Sequence, residues 1–232
     1  MRAFFAAAAF AACASAASAA TVDFSTNFGR SLAEGTEVLG FDFGAGLTGR
    51  VSVVGGAGEA RIFDTTPGSI GTLPARRGGG GDPDLAGPFR NVDDPLDIRE
   101  FGNALIIQER SSRATAIPDD EARGGTITFT FDRPIDLMSL VLLDGEEDVF
   151  VTTGARRVGN AASSGDNLFD TILFDGSARR ISEFTVNFGG SGAIGEFEAI
   201  SAIPLPATLP LALAAVAALG FIARRRRGGS AE

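Results

Sequence analysis

The amino-acid sequence predicts an all-β fold, an antiparallel β-sandwich of jelly-roll type, followed by a C-terminal transmembrane helix. Three observations predict the sandwich. Apolar and polar residues alternate with a period of two along much of the chain, as in GTITFTFD (125–132). Many of the 31 glycines fall between such runs, where turns require a positive φ. Between residues 20 and 202, no long window shows the apolar stripe of an amphipathic helix.

The strand candidates are either alternating segments or short apolar runs bounded by Gly, Asp or Pro. They are EVLGFDF (37–43), RVSVV (50–54), EARIFD (59–64), NALIIQE (103–109), GTITFTFD (125–132), IDLMSLVLLD (135–144), DVFVTT (148–153), DTILFD (170–175) and EFTVNF (183–188). IDLMSLVLLD is apolar on both faces, which predicts a position in the middle of a sheet or beneath a loop.

One long segment breaks this pattern. Residues 65–100 are rich in Gly, Pro, Asp and Arg, and no strand is evident in them. A loop of this length in a compact domain is either functional or disordered. Because it contains four consecutive glycines, at 78–81, we expect a flexible excursion rather than an ordered binding loop.

The segment GAGLTG, Gly44 to Gly49, matches the glycine pattern of dinucleotide-binding proteins. In those proteins the glycines must open a helix whose N-terminus faces the pyrophosphate. Here the strand-like RVSVV follows instead, so we interpret the segment as a hairpin turn.

The N-terminus has the layout of a secretory signal peptide. Arg2 precedes an apolar run, Ala3 to Ala12, and small residues follow. Ala17 and Ala19 fit the small-x-small rule for signal peptidase, which predicts a signal peptide over 1–19, with 14–16 as a second possible site. Residues 10–13 are a poor lipoprotein box, because Phe replaces the usual leucine before Cys13. Removal of Cys13 with the signal leaves no cysteine, so no disulfide stabilises the mature chain.

The C-terminus contains a predicted membrane span. Residues 205–223 are uncharged and long enough to cross a bilayer core as a helix. Pro206 and Pro210 lie in its first turns, where proline costs least. A basic cluster, Arg224, Arg225, Arg226 and Arg227, follows directly and is retained on the cytoplasmic side, and residues 228–232 are a short tail.

The order of prolyl motif, span and arginine cluster resembles the PEP-CTERM class of sorting signals. The motif is Ile203-Pro204-Leu205-Pro206-Ala207, which differs from the Val-Pro-Leu-Pro-Ala variant only by Ile for Val. The resemblance covers residues 203–227 and implies an exosortase partner, a membrane-embedded cysteine transpeptidase that recognises the motif and removes the span. It also implies export through the inner membrane of a Gram-negative bacterium, a membrane-anchored precursor, and a final place at the cell surface or in the extracellular matrix.

Composition limits the function of residues 20–202. The whole chain has 20 basic and 29 acidic residues. Leaving out Arg2, Glu232 and the four C-terminal arginines gives 15 arginines against 28 acidic residues, a net charge of −13. An acidic surface without lysine argues against binding nucleic acid or anionic membranes. The chain has no histidine, which excludes any mechanism that needs an imidazole.

Carboxylate clusters are the remaining candidates for a site. One group lies in the long loop, a second precedes GTITFTFD, and a third forms the turn LLDGEEDVF. The three groups are Asp82, Asp84, Asp93, Asp94 and Asp97; Asp119, Asp120 and Glu121; and Asp144, Glu146, Glu147 and Asp148. Calcium takes six to eight oxygen ligands, often from loops of exported proteins, so a calcium site is possible, with the third group as candidate ligands. None of the groups has EF-hand spacing.

We therefore expect a non-catalytic exported surface or matrix protein, associated with extracellular polysaccharide or the envelope. The alternative is a calcium- or glycan-binding module on the same scaffold. A glycosidase that uses two carboxylates is the least favoured option, because the domain is small and has no Trp or Tyr to stack on sugars.

Overall fold

The structure is a computed structural model, and it describes residues 19–73, 81–110, 117–161 and 165–201. In this part of the chain there are fifteen strands and one 3₁₀ helix, at Pro83–Leu85. The strands are β1 (Ala20–Val22), β2 (Thr26–Asn27), β3 (Arg30–Ser31), β4 (Gly40–Asp42), β5 (Thr48–Val54), β6 (Ala60–Asp64), β7 (Phe89–Asn91), β8 (Ile98–Arg99), β9 (Asn103–Ile107), β10 (Gly125–Leu143), β11 (Val149–Thr153), β12 (Arg156–Ala161), β13 (Leu168–Leu173), β14 (Ile181–Phe188) and β15 (Ala193–Ser201). The predicted all-β class is confirmed.

The predicted terminal signals fall almost wholly outside the described residues. Ala17, the motif Ile203–Ala207 and the cluster Arg224–Arg227 are not among them, and Ala19 is their exposed first residue. Within the described ranges, no helix has both the length and the apolar character that crossing a membrane requires. Residues Ser18–Ala202 form one compact unit.

Strand β10 organises this unit, because its two halves have different neighbours. Its first half, from Gly125 to Phe131, lies between β5 and β14. Its second half, from Ile135 to Leu143, lies between β13 and β15. The register breaks between Thr130 and Ile135, where Pro134 has no N–H to donate to a ladder. The two segments predicted here as separate strands are therefore one long strand that runs through two layers.

The first layer has the order β4, β5, β10, β14, β11 and β12. In the second layer, β10 pairs with β13 on one side and with β15 on the other. Strand β13 pairs in turn with β7, and β7 with β8. Strand β15 pairs with β1 and with β9, and β9 pairs with β6. All pairs are antiparallel except β13 and β7, which run parallel over two residue pairs. The sheet is therefore mixed, a correction to the predicted antiparallel arrangement. The parallel pair can form because β7, in the long segment, is far from β13 in the sequence, and no tight hairpin joins the two strands.

Phenylalanine rings fill the core between the layers. Phe197 of β15 makes edge-to-face contacts with the rings of Phe129 and Phe184 at centroid distances of 5.3 and 5.5 Å. Phe24 and Phe43 contact the same ring at 6.1 and 6.2 Å. Such offset aromatic pairs contribute beyond their buried area. Phenylalanine thus supplies the aromatic part of the core in a chain without Trp or Tyr.

A second core lies on the outer face of the second layer, beneath residues 85–89 of the long segment. Leu85 and Phe89 of this segment are fully buried against Leu143 of β10 and Phe169 of β13. The expectation that 65–100 contains no strand is wrong, since β7 and β8 lie in it. Leu85 and Phe89 pack on the sheet, where they cover the second apolar face of IDLMSLVLLD, whereas most of residues 92–100 are exposed. That strand is therefore central and lies beneath a loop, as its sequence predicts.

The hairpin interpretation of GAGLTG is confirmed. Strands β4 and β5 pair on either side of it, and Gly44, Ala45 and Gly46 all have positive φ. Gly49 has a steric role, since a Cβ there would lie 2.1 Å from the carbonyl oxygen of Thr130.

Both ends of the unit lie side by side. Ala20 of β1 pairs with Ala199 of β15, and Ser201 pairs with Ile135 of β10. The first and last strands are therefore direct neighbours in the second layer.

Candidate functional site

Carboxylates from several separate segments converge at the C-terminal end of β10. Asp82 is the hub of this group, because its charge raises the pKa of Asp84, Asp120 and Asp144 after the larger effect of burial. Asp166, just before β13, also raises the pKa of Asp84 and Asp144. We call these five residues, Asp82, Asp84, Asp120, Asp144 and Asp166, the acidic cluster.

Asp144 is the most constrained member of the cluster. It directly follows β10 with a φ of +53°, and its side chain is only 1 % exposed. One carboxylate oxygen accepts a hydrogen bond from the backbone N–H of Asn167 at 2.9 Å. Burial raises the pKa of Asp144 to about 7, and the charges of Asp82, Asp166 and Asp84 act in the same direction, against this hydrogen bond.

The 3₁₀ helix is held above Asp144 by Asn167. With its side-chain nitrogen turned towards this helix, Asn167 donates to the carbonyls of Asp84 and Ala86 at 3.3 and 2.5 Å. Asp82 caps the helix by accepting the N–H of Asp84 at 2.9 Å. The carboxylates of Asp82 and Asp144 are thus held by backbone N–H groups, whereas Asp84 and Asp166 are exposed.

Asp120 is buried against the loop between β14 and β15. It accepts hydrogen bonds from the hydroxyl of Ser191 and from the N–H of Gly192, the latter at 2.7 Å. Burial raises its pKa well above the ordinary value for an aspartate. Its neighbour Asp119 has a pKa raised to about 7, first by burial and then by a hydrogen bond to Glu109.

The structure separates the members of two of the three predicted groups. Among the candidate calcium ligands, Asp144 is buried in the acidic cluster, whereas Glu146, Glu147 and Asp148 are exposed on the following turn. Of the long-loop group, only Asp82 and Asp84 join the cluster. The others, Asp93, Asp94 and Asp97, lie in the turn between β7 and β8, where Asp97 pairs with Arg99 at 2.9 Å.

Sequence reasoning missed three functional candidates, Glu109, Asp166 and Asn167. Glu109 ends an apolar run and has no motif around it. Asp166 and Asn167 follow a glycine directly before a strand, and Asn167 has a φ of +56°. A Gly-Asp-Asn sequence at a strand start is a turn signal, and it was the available clue to these two residues.

The cluster has one sign of charge. The charged groups that raise the pKa values of Asp84, Asp119, Asp120 and Asp144 are all carboxylates. The arrangement can therefore bind protons or attract cations. Among the described residues, however, no three acidic side chains stand close enough together to ligate one metal ion. Glu109 and Asp119 share a hydrogen bond, which places them closer than the about 5–9.5 Å between the two carboxyl groups of a glycosidase.

No protein-family model matches the chain, and no curated protein matches it in sequence. The function is therefore inferred from the residues themselves.

Proposed function

We propose that this protein is a non-catalytic surface or extracellular-matrix protein, exported and then sorted by an exosortase-type transpeptidase. One observation carries the proposal, the order of segments in the C-terminal 30 residues. A prolyl motif, an uncharged span and four arginines follow one another without interruption. Each part alone is common, but together, and behind a signal peptide, they specify arrest in the membrane and presentation of the motif outside.

The folded unit is compatible with a location outside the inner membrane. Its core consists of aliphatic and phenylalanine side chains. The compact unit Ser18–Ala202 ends directly before the sorting motif. We also propose that the strands of this unit follow a jelly-roll order.

The physical logic of sorting has two steps. The uncharged span enters the bilayer and the arginines stop it, because drawing them through would be very costly. Pro204 and Pro206 then lie at the outer interface, where proline disfavours a regular helix and leaves extended backbone for a peptidase.

Mass spectrometry of the protein from its native host tests the proposal. We expect no peptide containing Gly220 or Arg224 in the mature form. Replacing Pro204 and Pro206 by alanine should leave a full-length precursor in the membrane, whereas the matched variant Pro210→Ala, beyond the motif, should be processed normally. An intact C-terminus on the mature wild-type protein would reduce the segment to a plain membrane anchor.

The acidic cluster favours calcium binding as a second candidate function. The charged groups that raise the pKa values of Asp84, Asp120 and Asp144 are all carboxylates, and a divalent ion would relieve that repulsion. Among the described residues no three of these side chains are within ligating distance, and Asp82 already hydrogen-bonds to Asp120, so binding requires a third carboxylate such as Asp144 to approach this pair.

Thermal unfolding with calcium and then with a chelator tests this second function. A ligand that binds only the folded state stabilises it by about 2.7 kcal/mol at a hundred times its Kd. We expect a calcium-dependent rise of the midpoint in the wild type and in the exposed control Asp93→Asn, and its loss in Asp82→Asn. An equal response of Asp82→Asn and wild type would exclude the cluster as the site.

A further inference from the structure

The outer face of the second layer is only half covered. Its first row, Phe169, Leu143 and Ala193, lies under Leu85 and Phe89. Two more rows on the same face follow along the strands. They are Thr171, Val141 and Glu196, and then Leu173, Ser139 and Glu198.

These two rows line a groove of about 540 Å³. This volume lies within the range of about 300–1,000 Å³ that is usual for small-ligand sites. Asn91 and Arg99, from β7 and β8, form one wall. Leu173 and Met138 are 68 % and 43 % exposed along the groove, so apolar surface lies beside its polar floor.

The groove has an excess of negative charge. Glu196 and Glu198 are two residues apart on β15 and face it together, and Asp175 lines its end. Arg99 is the one cation of the lining, and Asp97 already binds its guanidinium group at 2.9 and 3.1 Å. The same guanidinium lies 4.9 Å above the ring of Phe169, which fixes its position, and it approaches Glu196 only to 4.0 Å. An anionic polymer therefore finds no free cation here, whereas a cationic ligand finds three carboxylates, of which only Glu196 lies near the arginine.

The polar residues between the carboxylates are suited to hydroxyl groups. Ser139 lies in the middle of the floor, with its hydroxyl 3.5 Å from Glu198, and Thr171 and Asn91 line the groove beside it. Hydroxyl and amide side chains both donate and accept, as vicinal sugar hydroxyls require.

We propose that this groove binds a polysaccharide whose sugars have free ammonium groups. Glu196 and Glu198 accept charge-assisted hydrogen bonds from the ammonium groups. Ser139, Thr171 and Asn91 bind the ring hydroxyls, and Leu173 and Met138 pack against the C–H face of a sugar. This site goes beyond the proposed sorting function and does not depend on it.

A basic peptide is the competing ligand, and the edge of β13 disfavours it. An extended peptide would gain affinity by adding a strand to that edge. The N–H of Thr171, however, already donates to the side chain of Asp170 at 2.6 Å. The edge therefore offers one donor fewer for strand addition.

Titration calorimetry on the full-length protein in detergent tests the proposal, at mildly acidic pH where sugar amines are protonated. We expect glucosamine oligomers to bind and N-acetylglucosamine oligomers not to bind. Glu196→Gln combined with Glu198→Gln should weaken binding at least about tenfold. The matched control, Glu147→Gln with Asp148→Asn, also removes two negative charges, but from the exposed turn after β10. It should bind as the wild type does.

Three results would overturn the proposal. They are no binding of glucosamine oligomers, equal affinity of the Glu196/Glu198 variant and the wild type, and equal binding of oligolysine, which would show a site for charge alone. Circular dichroism of each variant verifies that lost binding does not reflect lost structure. If the Glu196/Glu198 variant does not fold, Ser139→Arg, which fills the floor with a cation, should abolish binding instead.

Discussion

Replacing Asp144 by asparagine should stabilise the protein at neutral and alkaline pH. The asparagine side-chain oxygen can still accept the hydrogen bond from the N–H of Asn167, which Asp144 accepts at 2.9 Å. Asparagine also tolerates the left-handed backbone, here at a φ of +53°. The substitution therefore removes one buried charge near Asp82, Asp84 and Asp166 and alters little else.

The size of the effect follows from the pKa of Asp144. Burial raises it to about 7 in the folded protein, from 3.8 for an ordinary aspartate. The folded state binds this proton more tightly than the unfolded state does. The protonated carboxyl of Asp144 therefore contributes fully to stability below about pH 4, and this contribution is lost as the pH rises through 7. Each pKa unit corresponds to about 1.36 kcal/mol, so ionisation costs the folded state up to about 4 kcal/mol above pH 7.

Urea unfolding of residues 20–202 at pH 4, 6 and 8 measures this effect. Asp144→Asn should match the wild type at pH 4 and exceed it by about 2–4 kcal/mol at pH 8. The exposed control Asp93→Asn should change the free energy of unfolding little at either pH. A variant that is less stable than the wild type at pH 8, or that gains equally at pH 4 and pH 8, would refute the assigned burial of charge.

Three further predictions concern packing, and urea unfolding measures all of them. Gly49→Ala should destabilise the protein by about 2–4 kcal/mol, since the added Cβ meets the Thr130 carbonyl at 2.1 Å, while Ser52→Ala, exposed on the same strand, should be nearly neutral. Phe197→Ala should cost about 3–5 kcal/mol, because five rings lose their contact with it. Leu85→Ala should cost about 2–5 kcal/mol and speed tryptic cleavage in 81–100, and unchanged cleavage would mean that Leu85 does not hold this segment down.

Local sequence patterns predicted the strands well where a single rule, the burial of one face of the strand, governs the sequence. The alternation in GTITFTFD and EFTVNF reflects one buried face, and both segments are strands. Strand β15 was missed although it too alternates, because Gly195 interrupts its pattern and shifts its register on β10. The short strands β7 and β8 were missed because their packing partner, Phe169, is distant in the sequence.

The acidic cluster was only partly predictable. Sequence proximity placed Asp144 with Glu146 and Asp148, but the chain turns sharply after β10 and leaves only Asp144 buried. Its actual neighbours, Asp82 and Asp166, come from segments whose approach depends on the whole sheet. No local pattern encodes such long-range contacts, which is why the residue types were identified while their grouping was not.

The pairing of Ser201 with Ile135 decides where mechanical load would enter an attached protein. If the C-terminus is the point of attachment, tension enters β15, which pairs with β10 along eight residue pairs. A pull along the strand would load these pairs together, in shear, and would not peel them apart one after another. The groove residues Glu196 and Glu198 lie on the same strand, so force on a ligand bound to these two side chains would enter β15 directly.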